Sequence, residues 1–152
     1  MLLLLLTSFL VSSPDGKLSV MGNDTRSGHV SYSVMYDGAM AICPSRLGLV
    51  TNVSDLSTGL SIKDIKQDHI SLDYTLTRSK QSQVHYEANT LVCTLENKQG
   101  EQLQVEWRVS NNDIAMRYLF PKQGETGSVR VISEATSYTF PEGTTTFLTP
   151  QS

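Results

Sequence analysis

The sequence is poor in several features that would settle a function at once. It has 2 cysteines in 152 residues, Cys43 and Cys93. They lie too far apart in sequence for a CxxC redox or zinc pair. It has 1 tryptophan, Trp107, and 3 histidines, His29, His69 and His85, with no metal-ligand spacing among them. Basic charge is scarce: 12 Lys and Arg stand against 15 Asp and Glu, a net charge of -3. That balance leaves no basic footprint and excludes nucleic acid as the expected partner. No apolar run reaches the about 20 residues that a membrane-spanning helix needs. There is no GxSxG elbow, no GxGxxG and no phosphate-binding loop, so the common hydrolase, dinucleotide and nucleotide signatures are absent.

What is present is a globular composition, 39% hydrophobic and 18% charged, at the length of one domain. The chain opens MLLLLLTSFLVSS. The apolar stretch 2–11 has the character of a secretory signal core, with small residues at Ser12 and Ser13, although no Lys or Arg precedes the leucines. Residues 1–12 are therefore expected to be a signal peptide cleaved near Ser12 and to stand outside the fold. The competing reading is a buried N-terminal strand or helix. No lipobox cysteine accompanies the leader, so a lipid anchor is not expected. The mature chain is expected to be periplasmic or secreted, with no membrane contact after cleavage. Export permits a disulfide. However, Cys93 shares a face with Leu91 and Leu95 in an apolar strand, which reads as a small buried core residue.

The remainder is patterned with period two. Leu103, Val105, Trp107 and Val109 alternate with Gln104, Glu106 and Arg108, as a half-buried strand requires. Ile114, Met116, Tyr118 and Phe120 repeat the pattern, as do Val30, Tyr32, Val34 and Tyr36. Weaker strands are expected at 18–21, 47–53, 60–66, 70–76, 90–96 and 129–138. Turn residues punctuate them: Asp37-Gly38, Asn97-Lys98-Gln99-Gly100, Asn111-Asn112-Asp113 and Pro141-Glu142-Gly143. Asn111-Asn112-Asp113 joins the two best strands into a hairpin. Residues 55–60 are given a short helical turn. The loop 122–128 reads as the most flexible internal segment. The fold class is all-β, an antiparallel β-sandwich over residues 13–152.

Chemistry-bearing constellations are weak. Glycoside hydrolysis needs two carboxyl groups across a bond, and Glu87, Glu106, Glu134 and Glu142 qualify by type only. Glu106 is expected to be a solvated charge. Asp64, Asp68 and Asp73 follow no calcium-loop pattern. Trp107 points to the core in this register, which removes it as a sugar-stacking platform. Tyr86, Tyr138 and Phe147 lie nearer strand ends and are better placed for a contact surface, but core packing is the favoured reading for them. Asn23-Asp24-Thr25 and Asn52-Val53-Ser54 are glycosylation sequons of use only in a glycosylating source.

The order of several short segments is more specific than any one of them. Ser13-Pro14-Asp15-Gly16-Lys17-Leu18 is followed by Tyr36-Asp37-Gly38 and Pro44-Ser45-Arg46-Leu47-Gly48-Leu49. His85-Tyr86-Glu87 comes next, then Asn112-Asp113-Ile114-Ala115-Met116-Arg117-Tyr118-Leu119-Phe120-Pro121 and Phe140-Pro141-Glu142-Gly143. In this order they resemble the N-terminal domain of glycoside hydrolase family 97, over essentially everything after residue 12. The chain departs from that pattern at Met21-Gly22-Asn23, which interrupts the expected first strand, and at Ala39-Met40-Ala41-Ile42-Cys43.

The resemblance implies an exported enzyme acting on alpha-glucosides or alpha-galactosides. Its N-terminal domain is a β-supersandwich, of which this chain would be an incomplete part. Catalysis, with a calcium ion nearby, belongs to a following (β/α)8 barrel. No catalytic, cofactor or metal residue carries over to this chain, which alone is expected to be inactive. Its expected partner is the catalytic barrel of the same enzyme, and carbohydrate contact is possible. The alternative is a stand-alone carbohydrate-binding or adhesive exported sandwich.

Overall fold

The computed structural model describes residues 8–24, 28–78, 80, 82–121 and 128–146. Residues 2–7 of the leader, Thr25 of the first sequon, most of the 122–128 loop and Phe147 lie outside them. Among the described residues the chain forms eleven strands and no helix. The first sheet is β1 (Ser8–Ser12), β2 (Leu18–Asp24), β3 (Val30–Tyr36) and β4 (Ala39–Arg46), antiparallel and in chain order. The short β5 (Leu49–Thr51) and β6 (Asp55–Leu56) follow. The second sheet holds β7 (Ser61–Thr75), β8 (Gln83–Glu96), β9 (Gln102–Ser110) and β10 (Ile114–Leu119), in the order β10-β9-β8-β7. β11 (Val131–Glu134) returns to pair with β5, making a third, small sheet β11-β5-β6.

The two large sheets face each other across one core. Sheet one contributes Phe9, Val11, Val20, Val30, Tyr32 and Val34. Sheet two contributes Leu91, Cys93 and Leu95 with Leu103, Val105, Trp107 and Val109. The alternation of β9 is borne out: its four apolar residues are at most 2% exposed. β10 pairs with β9 through the Asn111-Asn112-Asp113 turn as expected, Ile114 opposite Val109 and Met116 opposite Trp107. Its apolar residues are only half-buried, because β10 forms an edge of its sheet. Both cysteines are free thiols, Cys43 half-buried and Cys93 fully buried. Burial pushes the Cys93 thiol up to about 12.

Two turns show local chemistry setting topology. Asp37 and Gly38 both take positive φ, 48° and 80°, the pairing of a two-residue hairpin turn whose twist suits the strands it joins. Pro44 lies in β4, at the edge of sheet one, where the ladder slips register between Tyr32 and Val34. A residue without an N–H is tolerated at such a place. A strap after β11 then runs along β4: Ser137 N donates to Arg46 O and Cys43 N to Thr139 O. The Tyr32 hydroxyl donates to Ser137 O, tying the strap to the core.

Several expectations need correction. Residues 8–12 do not stand outside the fold: they are β1, paired with β2 over five residues. Phe9 and Val11 are each 4% exposed. The outer carbonyls of β1 are also satisfied, since Gln67 Nε2 donates to Leu10 O and Asn89 Nδ2 to Ser12 O, each at 2.8 Å. Met21-Gly22-Asn23 does not interrupt β2. Gly22 sits directly opposite Phe9, and a Cβ there would lie 2.1 Å from the Phe9 ring, so the missing side chain makes room for an aromatic. Ala39-Met40-Ala41-Ile42-Cys43 is the body of β4. The separate strands 60–66 and 70–76 are one 15-residue strand. Residues 55–60 form β6 and bends rather than a helical turn.

Candidate functional site

The carboxylates separate by face. Glu106 on β9 is opposite Val92 on the outer face of sheet two. Glu87 on β8 has the parity of Asn89 and Leu91 and so lies on the other side. Glu134 is on β11 in the third sheet, and Glu142 is exposed in the segment after the strap. Glu87 and Glu106 therefore do not flank a common bond. The expectation that Glu106 is solvated is wrong: its side chain is 10% exposed. Arg108, two residues along β9, donates from Nε and Nη2 to one oxygen at 3.1 Å. Arg117, on β10, donates to the other. Burial acts to raise the Glu106 carboxyl, but the hydrogen bonds from Arg117 and Arg108 outweigh it and hold it below its ordinary value. These residues, with Ala115 and Met116, line a cavity of about 210 Å³.

The histidines are dispersed. His85 meets Asp73 across β7–β8 at 2.7 Å. That hydrogen bond, with the Asp73 charge, raises His85 above its ordinary value. His69 has Nδ1 at 2.8 Å from Asn89 Oδ1 and Nε2 at 3.2 Å from Glu87. His29 meets the Arg46 guanidinium at 2.8 Å. Asp68 accepts from the backbone N–H of His69. Among the described residues no three His, Cys, Asp or Glu side chains gather as a metal ion requires. The described residues thus offer no donor set that fits the calcium implied by the resemblance.

The aromatic residues divide as their strand positions suggest. Trp107 is 2% exposed, 5.1 Å from Tyr32 and 6.4 Å from Phe9 between ring centroids. Its Nε1 finds no acceptor among the described residues. Tyr138 is 58% exposed and meets Tyr32 edge-on. Tyr86 is half-buried on β8.

A feature that sequence reasoning missed lies at the far end of β7 and β8. The two strands pair from Ser61–Glu96 out to Thr75–Gln83. β9 accompanies them only as far as Ala88. Beyond that point they form a two-stranded ribbon that carries exposed Leu72 and Tyr74 opposite Tyr86 and Val84. The signal is the alternation Ile70, Leu72, Tyr74, Leu76, which predicts a strand and not which of its faces is left bare.

The described residues form an antiparallel sandwich with paired polar clusters and an exposed apolar ribbon at one end of sheet two. The comparisons with known proteins give the family. The glycosyl-hydrolase 97 N-terminal family model matches residues 11–152, and the chain belongs to that family. A crystal structure of a beta-arabinopyranosidase is 45% identical, with a TM-score of 0.90 over 95% of this chain and 23% of that one. A glycoside hydrolase family 97 enzyme from Pseudoalteromonas sp. strain K8, in complex with acarbose, shares the fold. Its TM-score is 0.80 at 22% identity, over 88% of this chain and 20% of that one. A probable retaining alpha-galactosidase of Streptomyces bingchenggensis (strain BCW-1) is 27% identical over 137 residues, 90% of this chain and 20% of that protein. The chain thus spans less than a quarter of the length of each of these relatives.

Proposed function

We propose that this chain is the non-catalytic N-terminal sandwich of an exported family 97 glycoside hydrolase, packing against the catalytic domain and helping to shape its sugar site. The family match over residues 11–152 carries the reading. The dispersal of Glu87, Glu106, Glu134 and Glu142 supports a non-catalytic role, since acid and base must flank one bond. The substrate class proposed for the whole enzyme is an alpha-galactoside or a beta-arabinopyranoside, with alpha-glucosides as the alternative. This follows the names of the 45% and 27% identical relatives. Export is proposed from the apolar leader, with any cleavage falling before Ser8, because cleavage near Ser12 would remove β1 from the core.

The test compares the 152-residue chain with the polypeptide that carries it together with a catalytic domain. The longer polypeptide is expected to release nitrophenol from nitrophenyl alpha-galactoside. The chain alone is expected to release none, with or without added calcium. Turnover by the chain alone that disappears on Glu106→Gln or Glu87→Gln would refute a non-catalytic role.

A further inference from the structure

The ribbon of β7 and β8 runs past the end of β9. Among the described residues, 83–87 of β8 pair with 71–75 of β7 and with no other strand. A two-stranded hairpin is marginal by itself in water, yet this one keeps a strict alternation to its tip. Ser71, Asp73 and Thr75 oppose Glu87, His85 and Gln83 on one face, and that face is polar, with the His85–Asp73 pair across it. On the other face Leu72 opposes Tyr86 and Tyr74 opposes Val84. Leu72 is 51% exposed and Tyr74 46%. Following this face toward the sandwich leads to Ala88, Thr90 and Arg108, and then to the guanidinium cluster on Glu106. Tyrosine beside arginine is the pairing enriched at interface centres, and the one lysine on this face, Lys66, lies further along, opposite Val92.

We infer that this face is the seat of the catalytic domain, an inference that rests on the function proposed above. The occupant follows from area and tethering. A few half-exposed side chains supply much less than the about 800 Å² per partner of a stable free interface, so a second copy held by this patch would dissociate. A domain on the same polypeptide is present at an effective concentration in the millimolar range and needs far less area. The beta-arabinopyranosidase relative has more than three quarters of its length outside the matched fold, so the greater part of that chain lies beyond it.

Hydroxyl-radical footprinting tests the inference on the longer polypeptide and on the 152-residue chain. Leu72, Tyr74 and Tyr86 are expected to be oxidised at least several-fold more slowly in the longer polypeptide. Introducing Leu72→Thr with Tyr74→Thr, which keeps strand-forming residues, is expected to expose the peptides of the catalytic domain that cover the ribbon, while Trp107 emission stays native. Equal oxidation in both proteins, with the longer one active, overturns the docking face and leaves the proposed function standing. A gene that encodes no catalytic domain overturns both. Protection that rises with concentration in the 152-residue chain alone overturns the inference in favour of a second copy.

Discussion

Gly22→Ala tests whether β1 belongs to the fold. Gly22 lies inside β2, and its φ is not in the positive region that favours glycine. On backbone grounds alone, alanine there should stabilise the strand by about 0.5–1 kcal/mol. The structure reverses the sign. The new Cβ would fall 2.1 and 2.2 Å from Cε1 and Cζ of Phe9, well inside contact distance. The ring cannot simply swing away, because Phe9 is 4% exposed and packs toward Trp107. Overpacking costs about 1–3 kcal/mol, and a Cβ 2.1 Å from the ring belongs at the upper end, about 2–3 kcal/mol, so the net expectation is a loss of roughly 1–2.5 kcal/mol. In a chain of this length that is a fall in Tm of about 2–10 °C. Urea unfolding followed by Trp107 emission reads the loss directly. Phe9→Ala should itself cost about 3–5 kcal/mol and should abolish the penalty of Gly22→Ala in the double variant, the coupling expected of two residues in contact. If Gly22→Ala is neutral or stabilising with Phe9 present, no ring covers Gly22. Residues 8–12 then behave as a leader, and the account of β1 fails.

Trp107→Ala should cost about 3–5 kcal/mol, and iodide should quench the native tryptophan weakly; strong quenching would place Trp107 on the outer face. Because the Glu106 carboxyl sits below its ordinary value, its contribution is fully present above the unfolded pKa, near 4.3, and is lost as pH falls through the folded value. The urea midpoint should therefore drop on acidification below about pH 5, and Glu106→Gln should flatten that slope; an unchanged slope refutes the arginine-held carboxylate. Under native conditions a thiol reagent should label Cys43 and leave Cys93 until the chain unfolds, since Cys93 is fully buried with its thiol pushed up to about 12. Rapid labelling of both sulfurs contradicts the packing of β8. His85 should titrate above the ordinary imidazole value, and Asp73→Asn should return it toward that value, read from its ring proton shifts.

The sequence by itself determined the strands with one wet and one dry face. The alternation through Leu103, Val105, Trp107 and Val109 dictates β9, its register and the inward tryptophan, because a one-residue slip would turn every one of those side chains to water. Asn111-Asn112-Asp113 and Asp37-Gly38 dictate their hairpins through local backbone preference, and the ordered motifs pointed to the family that residues 11–152 match. Tertiary structure alone decided the rest. Residues 8–12 are the same string whether they end a leader or form a strand; the fit of Phe9 over Gly22, with Gln67 and Asn89 capping the carbonyls of β1, places these five in the sheet. Glu106 looked solvated because it shares the polar face of its strand with Gln104 and Arg108, yet one of its two arginines arrives from β10 across the hairpin. The ribbon was legible as strand and illegible as surface. Alternation says which residues share a face, and only the end of β9 at Ser110, opposite Ala88, says where that face stops being covered.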